Sequence, residues 1–161
     1  MLLVKAWIGP SRIHGIGCFT AERIAAGQPV WVFDPRIDTR LSAAAFASFP
    51  KPLREFLRRY GYEEMYEGIR TIVLSGDHAR YMNHADQPNL IDGDTDVAAR
   101  DIEAGEELTC NYYAFDLDAH RKLARTPAEQ RRRPVSFHHA VRAQAQARQR
   151  SAAGPPVDLQ G

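Results

Sequence analysis

Two short stretches of the chain carry the residue types that could do chemistry. The first, residues 80–90, reads Arg-Tyr-Met-Asn-His, three further residues, and then Pro-Asn-Leu. The second, residues 105–113, is a Gly-Glu-Glu turn, a short alternating run and a pair of tyrosines. Guanidinium, carboxamide, imidazole and phenol groups bind polar ligands and orient them by hydrogen bonds. A surface loop needs polar residues, but it does not need them in this order.

Residue types and spacing do not favour other kinds of catalytic site. No convincing nucleophile–base triad is present. Cys18 and Cys110 are too few for a Cys-rich zinc site and are interpreted as buried free thiols. Asp92, Asp94 and Asp96 alternate as in a calcium loop, but the flanking helices of an EF-hand are missing, so a polar hairpin is preferred. The sequence therefore predicts no metal site.

Strands and turns must position the two stretches. Alternating apolar residues predict a first strand over residues 2–8, which Gly9-Pro10 should end. Gly15-Ile16-Gly17 is a turn that allows positive φ and close backbone approach to a ligand, and a strand restarts at Phe19. Three more runs with strand character follow, at residues 30–33, 67–74 and 95–99.

A helical insert, about residues 38–66, interrupts this β-rich pattern. A first helix is predicted over residues 41–49, capped by Asp38 or Thr39. A second helix is predicted over residues 53–60, with Gly61 closing it.

The composition and charge are typical of one globular domain with a tail. The chain has 161 residues, 44% of them hydrophobic and 25% charged. Residues 1–120 hold 12 Lys/Arg and 18 Asp/Glu, a net charge of −6, whereas residues 121–161 hold 9 and 2, a net charge of +7. An acidic body attracts a cationic substrate, although acidic surfaces also serve solubility.

Two expectations follow for the tail and for the cellular location. Residues 119–161 are predicted to be helical or disordered, and their arginines give only weak support for nucleic-acid contact because stacking aromatics are nearly absent. No window approaches eighteen uninterrupted apolar residues, and the N-terminus lacks the features of a signal peptide. A cytoplasmic protein with no membrane partner is therefore expected.

The order and spacing of the two stretches, with the Gly15-Ile16-Gly17 turn before them, resemble the SET domain, the fold of most protein lysine methyltransferases. The resemblance covers residues 11–34 and 67–115, and it looks like the short bacterial and viral SET proteins. It implies a mainly β fold, a β-clip of short sheets with a C-terminal pseudoknot. The domain would span residues 1–118, before the basic tail.

The resemblance also implies a function and its residues. The reaction would be methyl transfer from S-adenosyl-L-methionine to a lysine side chain of a basic protein or peptide. Tyr112 would be catalytic, with its hydroxyl beside the transferring methyl and the lysine nitrogen; a general-base role is disfavoured by a phenol pKa of about 10. The implied donor-binding residues are Gly15, Ile16, Gly17, Arg80, Tyr81, Asn83, His84, Tyr112 and Phe115.

Four departures from the family pattern leave alternatives open. Ala85-Asp86 replaces Ser-Cys, Ile16 replaces an aromatic residue, and Cys110 stands where Phe or Tyr is common. The Cys-rich zinc segment that often follows the domain is missing, so residues 115–125 or the second subunit of a homodimer must close the lysine channel. One alternative is an inactive SET module that acts as a protein-binding domain. Another is a nucleic-acid-associated protein, which the acidic body disfavours.

Overall fold

Short strands joined by tight turns dominate the computed structural model, which describes residues 1–123. The strands are β1 Ala6–Pro10, β2 Ile16–Thr20, β3 Pro29–Val32, β4 Thr39–Ser42, β5 Tyr62–Tyr66, β6 Ile69–Leu74, β7 Asn83–His84, β8 Leu90–Ile91, β9 Thr95–Ala98 and β10 Thr109–Cys110. The helices are α1 Ala43–Ser48, α2 Lys51–Tyr60, α3 Tyr112–Phe115 and α4 Ala119–Lys122, with a 3-10 helix at His78–Tyr81. The rest of the predicted tail lies outside the described residues.

Strands β1 and β2 form an antiparallel hairpin, and β2 starts at Ile16, earlier than the predicted restart at Phe19, so only Gly15 of the Gly-x-Gly stretch lies in the turn. Gly9 pairs with Gly17 and Pro10 with Ile16, so the hairpin loop is residues 11–15. The prediction that Gly9-Pro10 ends the first strand was wrong. In a two-stranded sheet an edge position tolerates proline, because its missing N–H breaks no central ladder.

A helical insert is confirmed, but the predicted bounds of residues 38–66 were too wide, because residues 39–42 and 62–66 are strands that pair with β6. Residues 39–42 form β4, which pairs with β6, and α1 begins at Ala43 with Ser42 as its N-cap. Asp38 does not cap the helix; its buried carboxylate accepts hydrogen bonds from the backbone N–H groups of Asp34 and Gly76. Sheet pairing therefore overrides helix propensity at these residues. Helix α2 ends at Gly61, as predicted.

One hydrophobic core lies beneath the site residues. Its fully buried members come from strands and loops across the chain and include Cys18, Ile24, Val30, Ile102 and Leu108. Both cysteines are free and buried, as predicted. None of the helices within residues 1–123 is long and apolar enough to cross a membrane.

The parallel pairing of β7 with β10 joins the two chemically rich stretches. Asn83 lies opposite Thr109 and His84 opposite Cys110. Asn89 strengthens this crossing, because its amide oxygen accepts from the Thr109 backbone N–H at 2.8 Å and its amide nitrogen donates to the Glu107 carbonyl at 2.8 Å. The pseudoknot prediction requires residues 80–90 and 105–113 to lie next to each other, and the β7–β10 pairing places them so.

We expect the Asn89→Ala variant to lose about 2–4 kcal/mol of unfolding free energy, because it leaves buried backbone groups of Glu107 and Thr109 without their hydrogen-bond partner. Chemical denaturation measures the loss. Gln87→Ala is the matched control, since Gln87 is exposed in the same loop and its change should cost less than about 0.5 kcal/mol. Equal stability of the two variants would contradict this role for Asn89.

Candidate active site

The buried Asn83 side chain ties the hairpin loop to the second stretch. Its amide nitrogen donates to the carbonyls of His14 and Ile16, both at 3.1 Å, and to Oε1 of Glu107 at 2.8 Å. The other carboxylate oxygen of Glu107 accepts from the Ser11 hydroxyl at 2.9 Å. Within residues 1–123 the amide oxygen of Asn83 accepts no hydrogen bond, so it is the group left to receive a donor from a ligand.

Gly17 leaves room for the Glu107 carboxylate, which a side chain at this position would displace. A Cβ at Gly17 would stand 2.3 Å from the Glu107 carboxylate, well inside contact distance. Gly15 has a φ of +52°, the left-handed conformation that glycine adopts without strain. Sequence reasoning found both glycines but missed Glu107, whose only signal was its place in the Gly-Glu-Glu turn.

The His84 imidazole is buried and held on both ring nitrogens. Nδ1 accepts from the Tyr112 backbone N–H at 3.2 Å, so the proton of the neutral ring is assigned to Nε2. Nε2 lies 3.3 Å from a carboxylate oxygen of Asp86. Asp86, which departs from the family pattern, therefore orients the His84 ring.

Tyr112 begins the short helix α3, which Asn111 caps at its N-terminus. Its hydroxyl donates a 2.7 Å hydrogen bond to the Met82 carbonyl. Burial raises the pKa of the Tyr112 phenol, and nearby Cys110 and Asp116 raise it further. The phenol is therefore neutral near pH 7 and keeps its oxygen lone pairs for a ligand.

Tyr112 lines an open pocket whose walls hold both aromatic and charged side chains. Its lining includes Trp31, Tyr62, Met82 and Phe115. The Tyr62 and Phe115 rings meet edge-on at 5.0 Å, and the Tyr112 and Phe115 rings lie 6.0 Å apart. Tyr62 and Trp31 were missed from the sequence, because neither lies in a recognisable motif.

The predicted donor-site residues fall into two groups in space. Gly15, Ile16 and Gly17 meet Asn83 at the exposed hairpin, whereas Arg80 and Phe115 line the pocket with Tyr112. The Arg80 guanidinium donates to the carbonyls of Gly76 and Asp77, so it stabilises the local backbone. Tyr81 packs against the core and meets the Tyr60 ring at 5.5 Å.

Three aspartates also line the pocket, at positions 92, 96 and 116. Asp96 on β9 stands directly opposite Trp31 on β3, and Asp92 lies in the turn before β9. Burial raises the pKa of Asp96 to about 7, and the negative charge of Asp92 adds to the shift. The sequence pattern of alternating aspartates was correctly predicted to be a polar hairpin, but its contribution to a pocket was missed.

Metal-dependent chemistry has no obvious centre in the described part of the chain. Within residues 1–123, no group of three or more His, Cys, Asp or Glu side chains is arranged to hold a metal ion.

Comparison with known proteins identifies the family. A SET domain family model matches residues 15–113, more than half of the chain, and the chain belongs to the SET domain family. A comparison with curated protein sequences gives no significant match.

Solved structures agree with this assignment. A chain of the Chaetomium thermophilum Polycomb Repressive Complex 2, a humanized mutant bound to the inhibitor GSK126, is 26% identical with a TM-score of 0.54. The match covers 73% of this protein but 16% of that chain. The same complex in an autoinhibited conformation, bound to S-adenosylmethionine, is 24% identical with a TM-score of 0.54, over 75% of this protein and 16% of that chain. The protein thus spans about one sixth of these matched chains.

The raised pKa of Asp96 predicts a pH-dependent stability. An unfolded aspartate ionises near pH 3.8 and the folded one near pH 7, so the folded state binds more protons between these values. Unfolding free energy should therefore fall as pH rises from about 4 to about 7. The Asp96→Asn variant removes this penalty, and we expect it to gain more stability at pH 8 than at pH 5, measured by denaturant titration.

Asp94→Asn is the matched control, because it removes an exposed aspartate from the same hairpin. A gain from Asp96→Asn that is the same at both pH values, or that Asp94→Asn reproduces, would contradict the prediction.

Proposed function

We propose that this protein is an S-adenosyl-L-methionine-dependent protein lysine N-methyltransferase. The observation that carries the proposal is the Tyr112 hydroxyl, held 2.7 Å from the Met82 carbonyl beside an aromatic pocket in a SET-family chain. The pocket would admit the lysine side chain, whose methylene stem suits aromatic walls. The acidic charge of residues 1–120 favours a basic protein or peptide as substrate.

The hairpin and β7 would hold the methyl donor. S-adenosyl-L-methionine, when bound, supplies an activated methyl group on a positively charged sulfur. Two features support the fit: the hairpin loop is exposed around Gly15 and Ile16, and the Asn83 amide oxygen is an acceptor suited to an ammonium group. Glu107 would place a negative charge near that end of the site.

Tyr112 would orient the lysine amine rather than deprotonate it. Its raised pKa keeps the phenol protonated, and the proton is committed to the Met82 carbonyl. The oxygen can then accept weak C–H···O contacts from a methyl group and an N–H bond from the amine. Such positioning accelerates the reaction without a covalent intermediate.

Some expectations drawn from the sequence remain predictions. A cytoplasmic location, a homodimer and nucleic-acid contact through the tail are of this kind, and so is the domain boundary at residue 118. Helix α4 at Ala119–Lys122 continues the described chain beyond that boundary, and Ala119 is buried.

Donor binding is tested by calorimetric titration of the protein with S-adenosyl-L-methionine. We expect the natural protein to bind, and Asn83→Ala to weaken binding by about tenfold or more, since it removes the amide acceptor and releases the hairpin. Gln87→Ala, an exposed change three residues from His84, is the control and should bind as the natural protein does. Failure of the natural protein to bind would refute the donor site.

Turnover is tested by following transfer of a labelled methyl group to a library of lysine-bearing peptides. We expect Tyr112→Phe to reduce transfer by about a hundredfold or more while donor affinity stays within about threefold, because only the hydroxyl is removed. Tyr66→Phe removes a hydroxyl from an exposed strand tyrosine and should leave transfer unchanged. Equal transfer by the Tyr112 variant and the natural protein would exclude the role given to this hydroxyl. Donor binding without any transfer by the natural protein would instead support the inactive module.

A further inference from the structure

The pocket beside Tyr112 has an acidic end that neither the proposed donor site nor Tyr112 requires. Asp96 and Trp31 are directly opposite on an antiparallel pair, so their side chains share one face of the sheet. The Gly93 backbone N–H donates to Oδ1 of Asp96 at 3.2 Å and fixes the carboxylate. Its second oxygen, Oδ2, accepts no hydrogen bond from residues 1–123 and so is available to a ligand.

Aromatic rings line the same pocket as these carboxylates. Trp31 and Tyr62 line the same pocket, and the pKa of the Tyr62 phenol is raised by burial and then by the charges of Glu64, Asp96 and Asp92, while Arg40 opposes the shift. Rings next to carboxylates are the surroundings that favour an alkylammonium group, through cation–π attraction and charge pairing.

A second observation indicates that this end of the pocket is a binding site for a polar ligand. Trp31 is only 8% exposed, yet its indole N–H has no hydrogen-bond partner among the described residues. A buried donor of this kind costs free energy unless water or a ligand satisfies it. Residues 1–123 therefore leave the indole N–H of Trp31 without an acceptor at this end of the pocket.

Cationic side chains also line the pocket, but each of them contacts another group of the protein. Lys122 pairs with Asp116 at 2.7 Å and also donates to the Gly61 carbonyl, and Arg80 donates to backbone carbonyls. Arg59 lies 5.6 Å from the Tyr60 ring centroid. Among residues 1–123, burial is the largest cause of the raised pKa of Asp96; the charge of Asp92 raises it further, and the N-terminal ammonium lowers it. Burial raises the pKa of the Cys110 thiol, and the charges of Asp96 and Asp92 raise it further.

We propose that Asp96, assisted by Asp92, binds the substrate's lysine ammonium in this pocket and accepts its proton before methyl transfer. This deepens the proposed function and rests on it. The step is balanced: the lysine Nζ–H bond breaks, an O–H bond forms on Asp96, and an ammonium–carboxylate pair becomes a neutral amine and a neutral carboxylic acid. The amine keeps the lone pair that the methyl group needs.

The surroundings favour this proton transfer. Removing two charges from a poorly hydrated site is less costly there than in water, because burial penalises the charged form of each group. Burial has already brought the pKa of Asp96 to about 7, closer to that of a lysine than an ordinary aspartate is.

The test is an NMR titration of the full chain with n-butylammonium chloride, which imitates the end of a lysine side chain. The reporter is the indole N–H of Trp31, distinguished from that of Trp7 by a Trp7→Phe variant. We expect saturable binding that weakens by about tenfold in Asp96→Asn and by about threefold in Asp92→Asn. Asp94→Asn, with the same loss of charge in the same hairpin, should stay within about twofold of the natural protein.

Two further readouts separate recognition from a structural role. Binding by the natural protein should tighten as pH rises through about 7, because Asp96 ionises there, and Asp96→Asn should lose this dependence. Neutral n-butanol should not distinguish the variants.

The proposal is overturned if the natural protein does not bind n-butylammonium. It is equally overturned if Asp96→Asn and Asp94→Asn bind n-butylammonium with the same affinity. If Asp96→Asn does not fold, Asp92→Asn takes its place, and an affinity equal to that of Asp94→Asn overturns the proposal. Failure of the proposed function is a separate result, namely no binding of S-adenosyl-L-methionine by a protein that still binds n-butylammonium in the Asp96-dependent way.

Discussion

The parallel contact between Asn83-His84 and Thr109-Cys110 is the constraint on which the site depends. Two strands of two residues each cannot stabilise themselves, so side chains secure the crossing. Asn89 satisfies backbone groups of Glu107 and Thr109, and His84 accepts from the Tyr112 backbone. The loop that carries one half of the site thereby fixes the segment that carries the other half.

A second effect of this crossing is that two neighbouring residues, Met82 and Asn83, contact the two sides of the site. Asn83 reaches the hairpin carbonyls and Glu107, while the carbonyl of the preceding residue, Met82, accepts from the Tyr112 hydroxyl. These two residues thus fix the position of the proposed donor site next to the pocket that Tyr112 lines. Bringing a donor and an acceptor together in this way is how a transferase gains rate from positioning.

Local sequence signals predicted much of this arrangement, because they encode local geometry. The hairpin turn at Gly15, the end of α2 before Gly61 and the hairpin before β9 all follow from residues close in sequence. Long-range effects were missed: β4 displaced the start of α1 because Leu41 pairs with Ile72 in a sheet. Asp96 joins the pocket only through its cross-strand position opposite Trp31, which no local pattern reveals. Asp86, a departure from the family pattern, proved to contact His84.

A crystal structure with S-adenosyl-L-homocysteine, the demethylated donor, tests whether the hairpin and β7 form a methyl-donor site. We expect the ligand to lie against the backbone of residues 14–17, with its ammonium group on the amide oxygen of Asn83. A ligand bound elsewhere, or an Asn83 amide that makes no contact with it, would refute the donor site.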